Sequence, residues 1–221
     1  MSSPFIHLRV HSDYSMMDGL NKVKPILSKV AELEMPAVAI TDQMNMCGLV
    51  KFYSEAHSKG IKPIIGTDFW VTNEVFGDEP FRLTLLAMNN EGYKNMTVLI
   101  SKAYLRGHLA HRAVIDQSWL AEHSEGLIVL SGGLHGDVGV GLTKNNTKIL
   151  DASIEFYKTY FQDRFYLELV RTGRVGEEDY LHRAVEFAHQ QDLPVVATNE
   201  VCFIDREGFD AHEIRVCIHD G

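Results

Sequence analysis

The chain has 221 residues, 45% of them hydrophobic and 23% charged, ordinary globular values that exclude a disordered, collagen-like or coiled-coil protein. With 30 acids against 21 lysines and arginines the formal net charge is -9, so the surface on average repels phosphate backbones, and autonomous, charge-driven DNA binding is disfavoured. The three cysteines, Cys47, Cys202 and Cys217, form neither a CxxC pair nor an even framework, and no run has signal-peptide or bilayer-spanning length, so a reducing, cytoplasmic setting is expected.

Short apolar runs rich in β-branched residues alternate with amphipathic segments, the pattern of parallel strands joined by crossover helices. The pattern predicts a strand over 5–10, a helix over 21–34, a strand over 36–41 and a helix over 48–58. Strands over 61–71 and 82–88 follow, then a helix over 91–103, a strand over 126–131 and a helix over 148–160. A strand over 164–170, a helix over 177–190, a strand over 193–199 and a helix over 206–218 complete the order. Asn21, Asn90 and Asp205 read as helix caps. Three joins look alike: Glu34-Met35-Pro36, Lys59-Gly60-Ile61-Lys62-Pro63 and Gln191-Asp192-Leu193-Pro194 each place a helix stop and a proline before an apolar strand.

Residues 104–125 and 132–147 read as longer connections. The glycines at 132, 133, 136, 139 and 141 lack the lysine and spacing of a phosphate loop and read as turns. About seven strand units without a Pro/Gly/Ser-rich linker predict one closed (β/α) barrel domain, with a doubly wound open sheet as the alternative.

In such barrels reactive groups collect at the C-terminal ends of the strands, where every βα loop opens. The first strand ends Arg9-Val10-His11-Ser12-Asp13, the second Thr41-Asp42-Gln43, the third Gly66-Thr67-Asp68 and the last Thr198-Asn199-Glu200-Val201-Cys202. Period-two alternation turns Arg9 and His11 to one side, and likewise Glu200 and Cys202. Acids, a thiol and an imidazole from four strands thus converge in the outline of a metal-dependent hydrolase site. A plainer reading stands beside it: an acid just past a strand commonly caps the next helix, and Cys202 equally reads as a small buried hydrophobe. Cys47 and Cys217 read as helix-packing residues. His7, His57, His108, His111, His123, His135, His182 and His189 read as solvated or locally bonded. Tyr157, Tyr160, Phe161, Phe165 and Tyr166 read as core, because no basic stripe interleaves them for base stacking.

The segments HLRVHSDYSMMDG at 7–19, AITDQMNMCGLVKFY at 39–53, KPIIGTDFWV at 62–71, LTLLAMNNEGYKNMTVLISKAY at 83–104, EGLIVLSGG at 125–133 and VVATNEVCFIDREGFDAHEIR at 195–215 resemble the polymerase and histidinol phosphatase (PHP) domain. Within it they are similar to the form at the N-terminus of the α subunit of bacterial replicative DNA polymerases, of proteobacterial type. The resemblance runs from the first residues to the last. It implies an α/β fold, a distorted, TIM-like (β/α)7 barrel, with residues 1–221 as a PHP domain at the head of a much longer DNA-directed DNA polymerase. It places the nucleotidyl-transfer carboxylates, and the magnesium they use, in a downstream domain. The implied partners are the remainder of the polymerase subunit and the proofreading exonuclease (epsilon) subunit, with DNA met only through later domains and no membrane.

Metal-competent members of the family gather a trinuclear site from His, Asp, Glu and Cys, with HxH as first motif, Asp-His as second and Asp-x-His as last. Here the first becomes Arg9-Val10-His11, the second Asp42-Gln43, and the following glutamate Asp68. The histidine at the start of the fourth strand becomes Arg82, the cysteine after Ser131-Gly132 becomes Gly133, and the last motif becomes Glu200-Val201-Cys202. Only His11 and Asp42 match unchanged. Arginine stays protonated, offers donors only and repels a cation. Two guanidiniums among Asp42, Asp68 and Glu200 are therefore expected to replace the metals with buried ion pairs, leaving no catalytic residue and no cofactor in this segment. Two alternatives stay open. One is a residual metal-dependent phosphoesterase, a pyrophosphatase or 3′ to 5′ exonuclease, with a zinc held among His11, Asp42, Asp68, Glu200 and Cys202. The other is a metal-free phosphate or pyrophosphate site with Arg9 and Arg82 as fork donors.

Overall fold

The computed structural model describes residues 5–109 and 112–220, so His111 lies outside the described residues. The strands are β1 (Ala37–Ile40), β2 (Lys62–Asn73), β3 (Gly77–Ala87), β4 (His108–Leu109), β5 (Arg112–Ala113), β6 (Ile115–Asp116), β7 (Leu127–Leu130), β8 (Phe165–Val170) and β9 (Val195–Thr198). The helices are α1 (Val23–Glu32), α2 (Leu49–Ser58), α3 (Asn90–Arg106), α4 (Gln117–Glu122), α5 (Asp137–Thr143), α6 (Thr147–Tyr160), α7 (Glu177–Gln191) and α8 (Phe209–Asp220). They group into two compact units, one from the residues up to Thr67 together with those from Asn199 on, the other Asp68–Thr198.

In the first unit β1 runs parallel to the start of β2, with Ala37 opposite Lys62 and Ile40 opposite Ile65. Residues 7–10 lie along the other edge of β1, where Ala39 N donates to His7 O and Thr41 N to Val10 O. Val10 in turn bridges Val201 in parallel. Helices α1 and α2 cover this ribbon. Val23, Ile26, Leu27 and Val30 of α1 meet Phe52 and Ala56 of α2 over Val38, Ile40 and Ile61, and each full burial of such a side chain contributes about 1.5–3 kcal/mol. Pro25 sits in the first turn of α1, where no backbone N–H is missed.

The second unit carries the far half of β2, where Val71 pairs with Ile115 of β6 in parallel. β3 pairs antiparallel with β7, β7 parallel with β8, and β8 parallel with β9. Its core includes Phe69, Phe81, Leu83, Leu85, Met96, Leu99, Phe161 and Tyr180, with Tyr157 stacked on Phe165 at 3.9 Å between ring centroids.

Several expectations need correction. β3 is not parallel to its neighbour β7. Only residues 74–76 separate it from β2, and a parallel crossover needs a dozen or more. Asn73 closes that turn by accepting a hydrogen bond from Phe76 N at 2.6 Å. Residues 5–9 carry strand-like bonds but no ladder among the described residues, and within the expected strand 5–10 Val10 alone forms a bridge. Asn21 does not cap α1: Lys22 stands at the N-cap, and the Asn21 amide donates to Cys202 O at 3.2 Å. The cap of α3 is Asn89, one residue before the one expected, and it accepts from Glu91 N and Gly92 N. Asp205 starts a short 3-10 turn without a side-chain cap. Residues 137–143, read as turns, form α5 despite their glycines. A Cβ on Gly139 would stand 2.0 Å from Gly133 O, so close approach, not flexibility, selects glycine there. Within 104–125 lie the small β4–β5 hairpin, β6 and α4. Cys47 and Cys217 are exposed, not packed, and Tyr160 is exposed at the rim of the aromatic cluster. Among the described residues no helix is long and apolar enough to cross a membrane.

Candidate functional site

The first unit's site grows from two loops. Beyond Val10 the chain turns at once, because Ser12 donates its N–H to Asp42 Oδ1 at 2.6 Å and its hydroxyl to Asp42 Oδ2 at 2.8 Å. Gly19 closes this loop so tightly that a Cβ would lie 1.8 Å from Ser12 O, and the Ser15 hydroxyl donates to Asp18 Oδ1 at 2.8 Å. Asp18 is thereby swung back onto the strand end, with its Oδ2 2.8 Å from His11 Nδ1. From the other side His11 N donates to Val201 O at 2.9 Å. This register sets the Arg9 guanidinium 3.3 Å from Glu200 Oε1, both side chains buried, and Cys202 Sγ 4.0 Å from His11 Nδ1. Helix α8 clamps the Asp18 loop: His212 Nδ1 donates to Asp18 O and Arg215 Nε to Met16 O, both at 3.0 Å. Gln43 N donates to Ser15 Oγ at 3.3 Å, and Gln43 Oε1 is buried without a hydrogen-bond partner among the described residues.

Burial raises the Asp42 carboxyl above its ordinary value, although the two Ser12 bonds work against it. Burial likewise raises the Cys202 thiol, against the pull of His11, so Cys202 is a neutral thiol at neutral pH.

Three donor atoms, on His11, Asp18 and Cys202, lie within 4.8 Å of one another. Their types and spacing fit a single tetrahedral divalent ion such as zinc, with the fourth position left for water. A cluster of several metals does not fit. Arg9 stands with its positive charge beside Glu200, and both Asp42 oxygens are taken by Ser12. Asp18 and Cys202 address the same ring nitrogen of His11, whereas a nucleophilic triad needs its acid and its nucleophile on different ring nitrogens.

In the second unit Asp68 accepts from Arg82 Nη2 at 3.0 Å and from the Thr84 hydroxyl at 2.5 Å. The Arg82 guanidinium lies 5.5 Å from the Trp70 ring centroid, and that of Arg112 lies 5.2 Å from the same centroid. Gly133 stands in a left-handed turn at φ 59 and has no side chain to offer. Glu168 is fully buried, accepting from the Thr198 hydroxyl.

The nine positions singled out in sequence are thus divided. Arg9, His11, Asp42, Gln43, Glu200 and Cys202 belong to the first unit, and Asp68, Arg82 and Gly133 to the second. Sequence reasoning missed Asp18, His212 and Glu168. Asp18 lies in a loop, where strand alternation is silent. Glu168 had a signal, a single acid inside the apolar run Phe165-Tyr166-Leu167-Glu168-Leu169-Val170.

The PHP domain family model matches residues 7–172. The DNA polymerase III subunit alpha of Vibrio cholerae is 65% identical over 222 residues, and that of Escherichia coli K12 is 60% identical; each alignment takes in 100% of this chain and 19% of the relative. The chain therefore spans about a fifth of the length of these curated relatives. Among solved structures, a putative metal-dependent phosphoesterase from Bifidobacterium adolescentis superposes with TM-score 0.58 and an amidohydrolase from Chromobacterium violaceum with TM-score 0.60. Both are 12% identical and cover 95% of this chain and 96% of their own. That likeness is one of fold, an α/β architecture of the distorted, TIM-like barrel class.

Proposed function

The chain belongs to the PHP domain family, in the branch of DNA polymerase III α subunits, and from that premise we propose that it is a catalytically silent PHP domain serving as scaffold within a replicative DNA-directed DNA polymerase. The observation that carries this is the pair of guanidiniums, Arg9 against Glu200 and Arg82 against Asp68, at two positions where the family places imidazole ligands. A guanidinium supplies fixed positive charge to the remaining acids and cannot ligate a cation. Polymerase chemistry, its magnesium and its DNA contacts belong to other parts of the longer protein, in the cytoplasm, and this domain offers a seat for the proofreading exonuclease subunit.

A second reading rests on His11, Asp18 and Cys202. Zinc held there would bring the pKa of a bound water toward neutrality and provide a hydroxide for phosphoester hydrolysis. Calorimetric titration of the chelator-treated natural chain with zinc and then manganese separates the two. The scaffold reading expects no saturable zinc site that Cys202→Ser removes, manganese binding being that of the polymerase carboxylates elsewhere in the longer protein, and it expects a stable complex with the exonuclease subunit on gel filtration whether metal is present or not. One tight site that disappears in Cys202→Ser would instead establish the second reading.

A further inference from the structure

Helix α8 has two differently employed faces. Inward, His212 and Arg215 hold the loop of residues 16–18 by its carbonyls, and Phe203 packs against the Phe209 and His212 rings at 6.1 and 5.3 Å. Outward, Ala211, Ile214, Cys217 and Ile218 recur at the spacing of a single helical stripe. The described residues leave them open: Ile214 is 61% and Ile218 77% exposed, and Ala211 and Cys217 are exposed too. Met16, whose carbonyl Arg215 holds, is 79% exposed. Single exposed apolar residues are ordinary, but a continuous stripe of them marks a contact surface.

The relatives are about five times longer than this chain. Resting on the reading of the natural protein as one of that length, we propose that the outer stripe of α8 is a docking face covered by a further segment of the same polypeptide. Asp210 and Glu213 border the stripe one helical turn before Ile214 and Cys217, so the segment that covers it is apolar with a basic flank. Because the opposite side of α8 holds the Asp18 loop, that segment also fixes the position of Asp18 indirectly.

Cys217 reports on the face directly. The natural full-length chain is alkylated with iodoacetamide, native and in urea, and each cysteine's rate is read by peptide mass mapping. Cys202, buried within its own unit, gives the protected reference. Cys217 is expected to react at least ~10-fold more slowly in the native chain than in the unfolded one, the mark of a covered site. Ile218→Asp should restore its rate, whereas Val50→Asp on the exposed side of α2 should not. Native labelling of Cys217 at the unfolded rate would overturn the proposal. So would protection that vanishes on dilution, which would assign the face to a second copy. The intact mass separates the premise from the inference: a natural chain of 24.9 kDa would defeat the reading of length, and a long chain with open Cys217 would defeat only the docking.

Discussion

Arg9 is 3% exposed and Glu200 8%, so neither charge has much water to return to if its partner is removed. Removing one member of a buried ion pair costs about 3 kcal/mol. Arg9→Met and Glu200→Leu should each lower the urea unfolding free energy by that order, and a double-mutant cycle should return a coupling of at least about 1 kcal/mol. Strictly additive losses would mean that the two side chains do not hold each other. The same pair shows what was legible in the sequence. Strand alternation put Arg9 and His11 on one side, and Glu200 and Cys202 on one side, and Arg9 meets Glu200 and His11 meets Cys202. The third member, Asp18, was not legible. Its position comes from the Ser15 and Ser12 hydrogen bonds and the close approach of Gly19, which are local geometry without periodicity.

Three helices end on a residue in the left-handed region, Glu34 at φ 53, Gly60 at φ 68 and Asp192 at φ 54, each followed within three residues by the proline that bars further helix. These joins were plain in the sequence because both stop signals are local. The start of α7 uses a different device. Glu177 turns back over the preceding loop and accepts from Thr172 N at 2.6 Å, Gly173 N at 2.8 Å, Arg174 N at 3.1 Å and the Thr172 hydroxyl at 2.6 Å. Burial works to raise its pKa, but these donors outweigh it and hold the carboxyl below its ordinary value. Glu177→Gln should therefore cost about 1–2 kcal/mol near neutral pH. Because the folded value is depressed, that contribution is complete above the unfolded carboxyl range and fades as pH falls through the folded value. Parent and variant should converge in acid, and a gap that persists there would mean that the carboxylate charge is not what orders the loop. α5 escaped sequence reading for the opposite reason: its glycines lower helix propensity, while its packing needs their lack of a side chain.

For the molecule as a whole, the barrel class followed from counting apolar runs, whereas the division into two units had no linker or composition shift to announce it. Stability against pH is likewise a property of the whole chain with a local origin. Asp137 is completely buried, and burial raises its carboxyl to about 6 even though Ser153, Tyr157 and Val138 N all donate to it. Its folded value exceeds the unfolded one, so the folded chain keeps this proton longer, and stability falls as pH rises from about 4 through about 6. The difference in unfolding free energy between the parent and Asp137→Asn should shift by on the order of 3 kcal/mol across that window. A difference that stays constant with pH would mean that Asp137 does not titrate there. The first unit is also discontinuous in the chain: Arg9 and Glu200 are 191 residues apart, and Val10 waits on Val201 for its bridge. On the ribosome, at ~5–20 residues per second, the N-terminal segment spends roughly 10–40 s without the segment around Val201 that bridges it. The contiguous stretch Asp68–Thr198 is meanwhile synthesised in full, so of the two units the one begun first is the later to be completed.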